Sequence, residues 1–125
     1  SMSATFYLLK HGDARVLEAY RIANAIWDEI FVNYQGDLSY LADALSSKQL
    51  QFEWSLKDLG LNRWNAQEVM VFSGLSYYLD RDDDAYRSLA VSVAEAFEMS
   101  YCSIEVKSLA KRVAAMFYLE RGFYG

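Results

Sequence analysis

The sequence predicts an all-α protein, a compact bundle of five to six helices with a short N-terminal extended segment or strand. Three observations carry that prediction. None of the 125 residues is proline, which otherwise punctuates loops and edge strands. Apolar residues recur three and four positions apart through most of the chain, the period of a helix. The segments so marked are bounded by capping residues and by most of the six glycines, with short connections that set successive helices antiparallel. With 54% apolar and 23% charged residues, the chain can bury a core and is not intrinsically disordered. A single helical domain over residues 1–125 is expected.

Ser1, ahead of Met2, is set aside as a remnant of expression. Residues 4–9 (ATFYLL) are the one strand candidate, aromatic, β-branched at Thr5 and closed by Lys10-His11-Gly12. A lone strand forms no sheet, so they read equally as an extended arm or the start of a helix. Asp13 can cap the next segment, where Val16, Tyr20, Ala23, Trp27, Phe31 and Tyr34 form an amphipathic stripe ending before Gly36. Leu17, Ile26 and Ile30 widen that stripe, which marks this helix as the central one.

Asp37 caps a further segment with Leu38, Leu41, Leu45, Phe52, Leu56 and Leu59 at helical spacing. Residues 50–57 (LQFEWSLK) also alternate like a strand. A capping-box pair, Ser46 and Gln49, and a Schellman-type stop at Gly60 with Leu56 and Leu61 decide for helix. The Ser46-Ser47 pair leaves open whether residues 38–59 are one helix or two. Asn65 and Glu68 form another capping box, with Trp64 and Val69 spaced as a hydrophobic staple, for a helix from Ala66 to about Leu79. That helix is apolar on most sides, as a buried helix is, and Gly74 in its middle suggests a close neighbour. After the polar turn DRDDD (80–84), Tyr86, Leu89, Val93, Phe97 and Tyr101 mark a helix. Ser103 caps the last one, with Val106, Leu109, Val113, Met116 and Phe117 facing inward and Gly122 ending it.

Charge narrows the function classes. Seventeen Asp and Glu outnumber twelve Lys and Arg, for a net charge of −5, which on average repels phosphate backbones and favours a basic partner. No apolar run is long enough to span a bilayer, and no basic-then-apolar leader is visible, so a cytoplasmic protein that does not enter membranes is expected. One cysteine excludes an internal disulfide and a cysteine zinc site.

Motifs with chemistry are few. His11 is the only histidine, and Lys10, Asp13 and Arg15 could orient an anion beside it, but no nucleophile motif accompanies it. Asp80, Asp82 and Asp84 give the first half of a calcium loop, whose required Gly and Glu are here Ala85 and Val91. These acids read better as ligands of a helix N-terminus. Cys102 lacks basic neighbours in sequence and reads as a small core residue. No phosphate loop or hydrolase motif is present. No metal, no cofactor and no catalytic residue is therefore expected.

Aromatic residues reach 16%, and Tyr7, Tyr34, Tyr40, Tyr78 and Tyr124 fall beside polar residues or at segment ends. Exposed Tyr beside carboxylates suits recognition of a basic protein surface. The expected function is a small acidic protein-binding domain that blocks or adapts a basic, nucleic-acid-handling partner, as an inhibitor or immunity protein does. The candidate contact residues are Asp37, Tyr40, Asp80, Asp82, Asp83, Asp84 and Tyr86. A homodimer is left open. The alternative is a DNA-binding regulator using Lys107, Lys111, Arg112 and Arg121 of the last helix, and the third is a small enzyme using His11.

Overall fold

The computed structural model describes residues 11–76, 84–100 and 102–120, with side-chain placements for 11–76, 91–100 and 102–115. Five helices lie among them: α1 (Ala14–Val32), α2 (Leu38–Asp58), α3 (Arg63–Ser76), α4 (Asp84–Met99) and α5 (Ile104–Glu120). They form the all-α bundle that the apolar periodicity predicts. The strand candidate at residues 4–9 lies outside the described residues.

Local chemistry explains most boundaries. Asp13 Oδ1 accepts the Arg15 N–H at 2.9 Å and starts α1. Asp37 Oδ1 accepts the Tyr40 N–H at 3.1 Å and starts α2. The Ser103 hydroxyl accepts the Val106 N–H at 3.3 Å and starts α5. Helix α2 stops as its sequence predicts. Leu61 N–H reaches the Leu56 carbonyl and Gly60 N–H the Lys57 carbonyl, at 3.1 and 3.0 Å, with Gly60 left-handed at φ +76°. Leu56 and Leu61 are both buried beside this Schellman turn.

Two capping boxes expected from sequence do not form. The Ser46 hydroxyl donates to the Ala42 carbonyl at 2.9 Å, back along an unbroken 21-residue helix, and Gln49 lies buried in its middle. Residues 38–58 are therefore one helix, and the apolar stripe, not the Ser46 pair, is what makes them helical. In α3 the cap sits one turn earlier than expected. Asn62 Oδ1 accepts the Asn65 N–H at 2.8 Å, and Asn65 Oδ1 accepts the Asn62 N–H at 3.2 Å, a reciprocal Asn–Asn box. Asn65 is thus inside the helix, and Glu68 is buried in the core.

Among the described residues the backbone of each helix runs close to the next and the next but one, so α3 alone has the backbones of all four others beside it. The centre of the bundle is α3, not α1 as the width of its stripe implies. Every residue of α3 from Asn65 to Leu75 is buried, which is why its apolar residues point to most sides. Gly74 is what lets α1 approach. A Cβ there would lie 2.5 Å from Cζ2 and 2.6 Å from Cε2 of Trp27. The Trp27 indole N–H donates to the Met70 carbonyl at 3.1 Å, one turn before Gly74. Its ring stacks on Phe31 at 5.4 Å and meets Phe97 of α4 at 6.1 Å. Trp27 therefore ties three helices through one side chain. No described helix is long and apolar enough to cross a membrane.

Candidate functional site

Helix α2 has two apolar faces. Leu45, Phe52 and Leu56 point inward and are almost wholly buried. Leu50 and Trp54, four apart and on the opposite side, are 59% and 61% exposed. Lys57 continues that outer stripe, with its ammonium 4.5 Å from the centre of the Trp54 ring, a cation–π contact. The Gly60 turn then brings Arg63, at the start of α3, against the same face. Leu50, Glu53, Trp54, Lys57 and Arg63 line an open groove of about 300 Å³. It is too open to enclose a small molecule and suits a side chain offered by another surface. Trp64, next to Arg63, is also exposed.

The floor of the groove is polar and held in place. Glu53, only 12% exposed, faces Arg63 Nε at 3.3 Å through Oε2. Its Oε1 accepts the amide N–H groups of Gln49 at 3.4 Å and Gln67 at 3.2 Å. Both glutamines are buried. A carboxylate held by a guanidinium and two buried amides cannot swing out, so the apolar rim is mounted on a rigid base. The Gln49 carbonyl oxygen is buried without a hydrogen-bond partner.

The residues expected from sequence are distributed differently. Asp37 is exposed but serves as the cap of α2, and Tyr40 is half-buried against the core. Asp84 and Tyr86 lie in the first turn of α4. Asp80, Asp82 and Asp83 lie outside the described residues. Tyr34, singled out as a surface aromatic, is buried in the core. The exposed aromatics among the described residues are Trp54 and Trp64. Their signal was present in the sequence: positions 50, 54 and 57 trace a second stripe opposite Phe52 and Leu56.

Other titratable groups are engaged locally. His11 lies on an exposed turn. Asp13 and Arg15, which would have to orient an anion beside it, grip each other through two side-chain hydrogen bonds at 3.1 and 2.9 Å. That contact, with the capped backbone N–H, pulls the Asp13 carboxyl down to about 2. The Cys102 thiol donates to the Phe97 carbonyl at 3.3 Å and is half-buried. On α5, Lys111 pairs with Glu98 at 3.3 Å. The Tyr20 hydroxyl is buried without a hydrogen-bond partner, and burial, with the Glu68 charge, raises its pKa strongly. No cluster of His, Cys, Asp and Glu able to hold a metal is found among the described residues. No protein-family model, curated protein or solved structure matches this chain.

Proposed function

We propose that this protein is a binding domain that acts by docking a partner protein in the groove between α2 and α3, as an inhibitor or adaptor does. The observation that carries the proposal is the outer stripe of α2. Leu50 and Trp54 contribute nothing to the core, yet both stand more than half exposed on a pinned polar base. Tryptophan is enriched, with Tyr and Arg, among the anchors of protein interfaces, and it covers much area with few rotatable bonds. Leaving an indole and a leucine in water has a solubility cost that an interface would offset.

The test is affinity capture from the native host with the wild-type chain and with Trp54→Ser, followed by titration of the purified partner. Trp54→Ser is expected to melt within about 0.5 kcal/mol of wild type, as an exposed substitution does, while losing the partner. A partner held equally by both chains would refute the groove as the contact.

A further inference from the structure

We infer that the groove takes a short acidic segment carrying one apolar anchor side chain, such as the acidic face of a partner helix or a peptide in which Leu or Phe is flanked by Asp or Glu. The inference rests on the binding reading above and adds the chemistry of the partner.

The charges around the groove are not neutral in effect. Its one lining carboxylate, Glu53, is largely buried, already forms an ion pair with Arg63 and accepts from Gln49 and Gln67. It offers little to an incoming cation. The exposed charged groups of the lining are Lys57 and Arg63, the latter paired with Glu53 at Nε yet 71% exposed. A basic anchor would seek the indole face of Trp54, but Lys57 already sits 4.5 Å from that ring. An acidic segment meets one competitor, Glu53, whose carboxylate is shared with Gln49 and Gln67 and leaves the Arg63 side chain 71% exposed. The segment's carboxylates reach the ammonium and the guanidinium, and its apolar side chain meets Leu50 and Trp54.

A second copy of the chain fits less well. A two-fold contact through this groove would set Lys57 and Arg63 against their own images. A nucleic-acid strand could stack a base on Trp54, but two cations on a chain of net charge −5 are a poor footing for a polyanion. The net charge acts at long range and penalises many-charged ligands; the groove acts in contact and accepts a few.

A random peptide-display library selected on the purified full chain, with counter-selection on Trp54→Ser, tests the inference. Enriched peptides are expected to carry Leu, Phe, Trp or Met flanked by Asp or Glu. A synthetic peptide of the consensus should shift the Trp emission to shorter wavelength, lose tenfold or more affinity for Trp54→Ser, and lose about tenfold for Lys57→Glu. Enriched peptides rich in Lys and Arg, still dependent on Trp54, would overturn the acidic chemistry and leave the docking groove standing. Titration of Trp54 by a single-stranded oligonucleotide at moderate salt, with no peptide enriched, would overturn both readings. So would peptides that bind Trp54→Ser as well as wild type.

Discussion

Replacing Gly74 by Ala puts the geometry of the core to a direct test. Helix propensity alone predicts that Gly74→Ala stabilises the protein by about 1 kcal/mol, because Gly74 lies inside α3. The packing predicts the opposite. The new methyl carbon would lie 2.5 Å from Cζ2 of Trp27, where ordinary contact needs roughly 3.5–4 Å. The ring must therefore retreat by about 1 Å, yet it is held by the Met70 carbonyl at 3.1 Å and flanked by Phe31 and Phe97. Overpacking of this kind costs about 1–3 kcal/mol, and a buried indole N–H pulled off its acceptor costs about 1–3 more. Set against the propensity gain, the net loss is about 3 kcal/mol, or a fall in Tm of about 10 °C for a chain of this size. Denaturant melts followed by circular dichroism, with unchanged m, would measure it. Trp27→Leu, itself destabilising, removes the obstructing ring, so adding Gly74→Ala to it should cost nothing or stabilise. A Gly74→Ala variant that melts higher than wild type, or an equal cost in both backgrounds, would refute the reasoning.

Further outcomes follow from the same contacts. Tyr20→Phe should leave stability at neutral pH unchanged or raise it by up to about 1 kcal/mol, since it deletes a buried hydroxyl that has no partner; a loss in urea melts would contradict this. In base, the raised folded pKa of Tyr20 contributes stability that is full below pH 10 and lost as pH rises above it, so Tyr20→Phe should move the alkaline unfolding midpoint upward. At the other end of the scale, the depressed Asp13 carboxyl contributes stability above pH 3.8 that is lost as pH falls toward about 2; a carboxyl resonance of Asp13 titrating near 2, and moving back toward 3.8 in Arg15→Gln, checks it. Gly60→Ala should lower stability by about 1 kcal/mol through the left-handed backbone at φ +76°, with Leu61→Ala adding a packing loss measurable in the same melts.

The fold was legible because the apolar stripes are strong. Val16, Ala23 and Trp27 on α1, Leu41, Leu45, Phe52 and Leu56 on α2, and Val106, Leu109 and Val113 on α5 are buried as their spacing implies. The caps at Asp13, Asp37 and Ser103 and the stop at Gly60 were equally readable, since each is a local hydrogen-bond pattern. What failed was choosing among several plausible caps. Ser46 and Asn65 carry the right side chains, but neighbouring turns were free to continue, and Asn62 captured α3 first. The centre of the bundle was misplaced because stripe width on one helix does not count its neighbours. The groove is hard to read in the sequence for a related reason: a Tyr beside an Asp does not say which side of a helix the core claims, and on α2 the core claims Phe52 and leaves Trp54 outside.

The place of α3 in chain order has a bearing on synthesis. The element that all others enclose is the third of the five described, so half its wall is translated after it. At typical elongation rates of about 5–20 residues per second, a nascent chain ending near Ser76 must wait several seconds for α4 and α5. During that interval Val69, Met70, Phe72 and Leu75 have, of the described helices, only α1 and α2 to shelter against. Ribosome-bound intermediates of this chain should therefore be sticky until α5 emerges, and a chaperone that grips exposed apolar helices would find its target in α3.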